Sequence, residues 1–150
     1  SLEIQRMPKD PKQEFGSTYD YPYLSICTTG THDMNPLRAW WEEDRGVTQR
    51  FYNQVLGAWG EAPYFCEPWI CEQVVAMHLK SPAMLTILPL QDWMAMDGEL
   101  RRENPNDERI NVPANSRHYW RYRMHITLEE LLKSENLNKM VRQKIAESGR

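Results

Sequence analysis

The sequence predicts an α/β protein of about three β/α units built on a parallel sheet, and three observations carry that expectation. Tyr23-Leu24-Ser25-Ile26-Cys27 and Met84-Leu85-Thr86-Ile87-Leu88-Pro89-Leu90 are short apolar runs without helical period, which read as strands covered on both faces. Helical patterns alternate with these runs, as a parallel sheet wrapped by helices requires. Each run also ends in an acid-bearing turn, Thr28-Thr29-Gly30-Thr31-His32-Asp33 after one and Gln91-Asp92 after the other. The carboxyl ends of parallel strands are where such folds gather their chemistry.

Taken in order, Leu2-Glu3-Ile4-Gln5-Arg6 is a first strand, and its lack of a polar lead-in reads as an interior cut in a longer protein. Residues 8–23 hold three prolines, Gly16 and several charges, the composition of a long functional loop. Past the second strand, Pro36 opens a helix through Leu37-Arg38-Ala39-Trp40-Trp41-Glu42-Glu43. Beyond Gly46 a further helix covers 48–56, with Phe51 and Val55 on one face. Residues 57–63 break it. Pro68 suits the first position of a helix whose Ile70, Val74 and Met77 form one stripe, ending near Leu79. After the third strand, residues 97–116 lack either period and read as a loop. Thr127-Leu128-Glu129-Glu130 has the capping-box pattern, and Ser134 is a cap for a last helix with Leu137, Met140, Val141 and Ile145 facing inward.

The 150 residues suit one domain, whereas a complete eight-stranded α/β barrel needs roughly 250. A net charge of −3 gives no electrostatic reason to expect nucleic acid. The basic-aromatic run 117–123 is one isolated patch in an acidic chain. No apolar stretch is long enough for a membrane span, and no glycine-rich phosphate loop occurs. Cys27, Cys66 and Cys71 are an odd set that suits reduced thiols in the cytoplasm better than a disulfide framework. The four histidines share no metal-ligand spacing, so no metal or cofactor is expected.

The residue types that remain point to sugar: carboxylates for the ring, donors for its hydroxyls and aromatic faces for its apolar side. Asp33 and Asp92 follow strands, His32 adjoins the first acid, and Asn111 and His118 lie in or beside the late loop. Asp92 reads as a structural acid with a hydrogen-bonding or capping role. Asp33 itself has a competing role as a cap of the next helix. Large aromatics on helices are mostly core, and Trp120, between Tyr119 and Arg121, is the best exception.

Thr31-His32-Asp33, Leu88-Pro89-Leu90-Gln91-Asp92 and Arg109-Ile110-Asn111-Val112-Pro113, followed by Tyr119-Trp120-Arg121-Tyr122-Arg123, together resemble the C-terminal part of the 4-α-glucanotransferases, the amylomaltase or disproportionating-enzyme family. Ile4-Gln5-Arg6-Met7-Pro8, the residues 37–44 and the run 117–125 are similar to its plant cytosolic, maltose-metabolising branch. The resemblance spans almost the whole chain. It implies the C-terminal portion of a TIM-type (β/α)8 barrel, with the three strands as its sixth, seventh and eighth. It further implies a cofactor-free, retaining transfer of α-1,4-glucan segments from maltose or maltooligosaccharides. Asp33 is then the third catalytic acid, which holds sugar hydroxyls and stabilises the oxocarbenium-like transition state. His32 and Asn111 contact the sugar, and Trp120 joins them as a substrate-binding candidate. The chain departs from many relatives in having Ala114-Asn115 after the Asn-x-Pro step. The nucleophile and the acid/base group belong to strands that this sequence does not contain. The isolated chain is therefore expected to be inactive and, with two bare sheet edges, to self-associate. The alternatives from the residues alone are a non-catalytic carbohydrate-binding or scaffold module, and a metal-dependent hydrolase using His32 and Asp33.

Overall fold

Residues 1–150 are all described by the computed structural model, and three short strands organise them. β1 (Leu2–Ile4), β2 (Ile26–Thr28) and β3 (Leu85–Thr86) make one parallel sheet in that order. Leu2 pairs with Ile26, Ile4 with Thr28, and Cys27 with Thr86, so the carboxyl ends lie side by side. Cys27 of the central strand is fully buried, packed with Tyr21 and Ala83.

The strands are shorter than the apolar runs that predict them. Ser25 turns back on the preceding residues, its backbone N–H donating to Tyr23 O at 2.7 Å and its hydroxyl to Pro22 O at 2.6 Å. Tyr23 and Leu24 are exposed and precede the strand, although Tyr23 O still accepts from Met84 N–H at 2.8 Å. On β3 the outer edge has no neighbour, and Met84, Leu85 and Ile87 are exposed, so this run is not covered on both faces. The segment between β1 and β2 is the loop its composition predicts, so the first of the three expected β/α units has no α-helix. It holds only a 3₁₀ turn at Thr18–Asp20, because prolines and Gly16 leave no helical stretch.

Between β2 and β3 the chain forms α1 (Leu37–Glu43), α2 (Arg45–Arg50) and α3 (Pro68–Leu79). Asp44 Oδ1 accepts from the backbone N–H of Gly46 at 2.9 Å and of Val47 at 3.2 Å, which starts α2 and draws Gly46 inside a helix. That helix widens into a π turn at Phe51–Val55, where Leu56 N–H reaches back to Phe51 O at 3.1 Å, and Gly57, at φ +66°, ends it. Pro68 occupies the first turn of α3 as expected. Its stripe of Ile70, Val74 and Met77 is buried, and so are Cys71, Val75 and His78, because α3 is covered on more than one side. Trp41 and Phe51 fill the core beside it, edge to face with centroids 6.3 Å apart.

After β3 come α4 (Leu90–Met94), a 3₁₀ turn at Pro105–Glu108, α5 (Leu128–Lys133) and α6 (Glu135–Ser148). Thr127 Oγ1 accepts from Glu130 N–H at 3.1 Å and caps α5. Ser134 caps nothing, since its hydroxyl donates to Glu130 O at 2.8 Å. Of the four residues expected to face inward from α6, Leu137 is buried, Met140 and Val141 pack at the edge of the core, and Ile145 is exposed.

Two buried groups set an expectation for stability against pH. Burial pushes the His78 imidazole down to about 4, the Nδ1–H bond to Val74 O only partly offsetting it. Burial pushes the Glu108 carboxyl up to about 7 despite the Arg38 guanidinium at 2.7 Å. Between pH 4.5 and 6.5 the unfolded chain protonates His78 while the folded chain does not, so stability rises with pH. Over the same interval folded Glu108 holds a proton that the unfolded chain has lost, so stability falls with pH. The two slopes oppose. In Glu108→Gln, urea unfolding at several pH values is expected to gain up to about 3 kcal/mol, relative to the parent, on going from pH 4.5 to 6.5. A parallel pH dependence in parent and variant would remove Glu108 as a cause.

Candidate functional site

The site forms on the loop between β2 and α1, residues 29–36, which is clamped from two sides. From the end of β1, the Arg6 guanidinium lies over the Trp40 ring at 5.1 Å and donates to Thr29 O at 2.7 and 3.0 Å and to Asn35 O at 3.0 Å. One charged side chain thus ties both ends of the loop. A Cβ on Gly30 would stand 2.6 Å from Arg6 Nη2, so any side chain there would displace a guanidinium already committed to two carbonyls. From α4, fully buried Asp92 accepts from Leu37 N–H at 3.0 Å through Oδ1 and from the Thr29 hydroxyl through Oδ2. Asp92 is thereby the structural acid the sequence suggests, capping α1 from another element. The competing role for Asp33 disappears, since Pro36 stands at the start of α1 and no side chain of the loop caps it.

Held this way, the loop presents Asp33 to solvent with its side chain 51% exposed. Asn111, 78 residues away in sequence, donates from Nδ2 to Asp33 Oδ1 at 2.7 Å. His32 Nε2 stands 3.5 Å from the same oxygen, and the His32 ring lies against Trp120 with centroids 5.2 Å apart. His32, Asp33, Asn111 and Trp120 are therefore neighbours at the carboxyl end of the sheet. No third His, Cys, Asp or Glu joins His32 and Asp33 in a cluster suited to a metal ion.

Asn111 is held by its own backbone and by neighbours whose positioning role the sequence did not show, among them His118, a candidate sugar donor that the structure turns to a backbone carbonyl. Asn111 Oδ1 accepts from Val112 N–H at 2.9 Å, which leaves the NH2 end for Asp33. Arg109 Nε donates to Asn111 O at 2.8 Å, and the His118 ring donates to Ile110 O at 2.9 Å. Behind them, the buried Arg38–Glu108 pair and Gln91 Nε2, which donates to Glu108 O at 3.1 Å, moor the whole segment to α1 and α4. Arg6 carried one readable signal, a cation set directly after an apolar strand; the roles of Arg109, His118 and Glu108 depend on a fold of the loop that no local pattern announces.

Chemically, the arrangement offers a solvent-facing carboxylate with Oδ2 free, an amide and an imidazole as donors, and a flat indole. These are the group types that engage a sugar ring. The recess beside them, lined by Gly30, Thr31, Gln91 and Ile110, has only about 60 Å³, so a ring would rest on this surface rather than be enclosed by it.

A family model described as 4-alpha-glucanotransferase matches residues 1–128. The chain is 41% identical over 149 residues to the rice (Oryza sativa subsp. japonica) 4-alpha-glucanotransferase DPE2, covering 99% of this chain and 16% of the rice protein. It is 29% identical over 126 residues to the 4-alpha-glucanotransferase of Chlamydia muridarum, covering 81% of this chain and 23% of that protein. In structure it is similar to the Streptococcus agalactiae amylomaltase in complex with acarbose, with a TM-score of 0.67 at 19% sequence identity, over 99% of this chain and 27% of the amylomaltase chain. The chain thus spans a sixth to about a quarter of the length of these proteins. The match over most of its length, and the identity to the rice protein, show that this chain belongs to the 4-alpha-glucanotransferase family.

Proposed function

We propose that this chain forms one wall of the active site of a 4-alpha-glucanotransferase, completed by the strands of a (β/α)8 barrel that carry its nucleophile and its acid/base group. The reaction is the transfer of α-1,4-glucosyl or glucan segments from maltose or maltooligosaccharides to a glucan acceptor, by retaining double displacement without a cofactor. The observation that supports this reading most is the meeting of Asp33 and Asn111 across 78 residues, with His32 seated between the carboxylate and Trp120.

Each side chain then has a role set by its surroundings. Asp33, ionised and only half exposed, faces the positive charge that develops on the ring carbon and lowers its energy. Its free oxygen accepts from sugar hydroxyls, and those bonds tighten as the ring flattens. Asn111 holds the carboxylate in place and offers its remaining N–H to the same sugar. His32 donates to a neighbouring hydroxyl, and Trp120 offers a face to the apolar side of a ring. The three reduced thiols suit the cytoplasm. No helix is long and apolar enough to cross a membrane.

The test is a chimera in which this chain replaces the matching segment of the rice relative. Maltose disproportionation by the chimera is the expected result, while the 150 residues alone show no transfer and bind maltoheptaose weakly. A folded chimera without transfer would overturn the reading, and tight maltoheptaose binding by the isolated chain would favour a carbohydrate-binding module instead. The isolated chain is also expected to self-associate through the open edges of β1 and β3, where Leu2, Met84, Leu85 and Ile87 are exposed. Light scattering that finds a monomer at tens of micromolar protein counts against it.

A further inference from the structure

We propose that Cys66 and Cys71 are a reversible dithiol–disulfide site, oxidised by small-molecule disulfides such as glutathione disulfide. The two sulfurs already stand 3.5 Å apart, at van der Waals contact, with Cys66 just before α3 and Cys71 in its first turns. Forming the bond asks the sulfurs to approach by about 1.5 Å, to the S–S length of about 2.05 Å. The third cysteine has no such partner: Cys27 Sγ lies 3.3 Å from the hydroxyls of Ser81 and Thr86.

Access and anchoring both centre on Cys66. Both residues are buried, Cys66 at 2% and Cys71 at 0% exposure, and Cys66 borders a surface recess of about 240 Å³ lined also by Arg38, Glu67 and Arg101, so the oxidant reaches Cys66 through local opening of that wall. Arg101 Nη1 donates to Cys66 O at 2.7 Å and also belongs to the stretch that leads toward Glu108 and Asn111. A bond between the sulfurs therefore acts on the carbonyl that roots this stretch. Burial and the adjacent thiol raise Cys66 well above the ordinary range, so exchange at neutral pH is slow.

The step balances. The Cys66 thiolate attacks one sulfur of glutathione disulfide and releases a glutathione thiolate; the Cys71 thiolate then attacks Cys66 Sγ in the mixed disulfide and releases the second. Two protein S–H bonds are lost and one S–S bond forms. The two protons and two electrons end on two molecules of glutathione.

The experiment exposes the folded chain to glutathione disulfide, quenches with acid, denatures, alkylates and maps the peptides by mass spectrometry. Two of the three thiols are expected to resist alkylation, with the tryptic peptide 51–80 lighter by two hydrogens, no glutathione attached, and full recovery on adding dithiothreitol. In Cys71→Ser the expected product is a glutathione adduct on Cys66. Three alkylated thiols after overnight exposure, stable glutathione adducts on the parent chain, or a bond that includes Cys27 would each overturn the proposal.

Discussion

Asparagine at position 33 is expected to lower glucosyl transfer by the rice chimera about 10³-fold, almost entirely in kcat. The exchange keeps the shape of the side chain and an oxygen for the Asn111 amide, so the loop and its partners stay where they are. What disappears is one negative charge facing the transition state. Ground-state contacts to hydroxyls persist through the amide, and KM moves little. Initial rates of maltose disproportionation for parent and variant decide the matter. A loss smaller than tenfold would deny Asp33 its role. Asn111→Ala removes only a charge-assisted hydrogen bond to that carboxylate and is expected to cost about 10- to 100-fold.

Asp92→Ala is expected to cost about 3–5 kcal/mol of stability, the range for uncovering buried charged partners. Its carboxylate is fully buried, receives the first backbone N–H of α1 and a threonine hydroxyl, and sets its charge against that of Arg6. Alanine leaves two buried donors without acceptors and removes the larger of the carboxylate charges that favour the Arg6 guanidinium. Urea unfolding of the isolated chain measures the effect. Asp92→Asn retains one acceptor and should lose roughly half as much. A loss below about 1 kcal/mol for the alanine variant would mean that α1 and the loop before it are held by other means.

Much of this architecture could be read from residue order. The parallel strands, the proline-started α3 and the threonine cap of α5 follow from local signals, and each stands within a few residues of its expected place. What misled was apolarity taken as burial. Tyr23, Leu24 and Ile87 look like core strand residues, yet all three are exposed, the first two ahead of β2 and the last just past the edge strand β3, and sequence does not say where a strand stops or which edge is open. Ile145 failed for a different reason: α6 meets the rest of the chain along a line through Leu137 and Lys144, which pairs with Glu72 at 3.4 Å, and Ile145 lies to the side of that line. At the site, His32 and Asp33 were visible because they follow a strand, and Asn111 and Trp120 because their motifs resemble a known family. Among the supports Asp92 was visible as a structural acid, whereas the tethers made by Arg6, Arg109 and Glu108 were not. Arg6, Arg109 and Glu108 act through backbone carbonyls and a buried ion pair, and such contacts leave no periodicity behind.

The guanidinium packed beneath residue 30 ties two distant sequence positions to one another. Across relatives, arginine at position 6 should coincide with glycine at 30, and a smaller apolar residue at 6 should free position 30 to accept alanine or serine. Exchanging both residues together would then be tolerated where Gly30→Ala alone is not, so the pair should change in step as the family diverges.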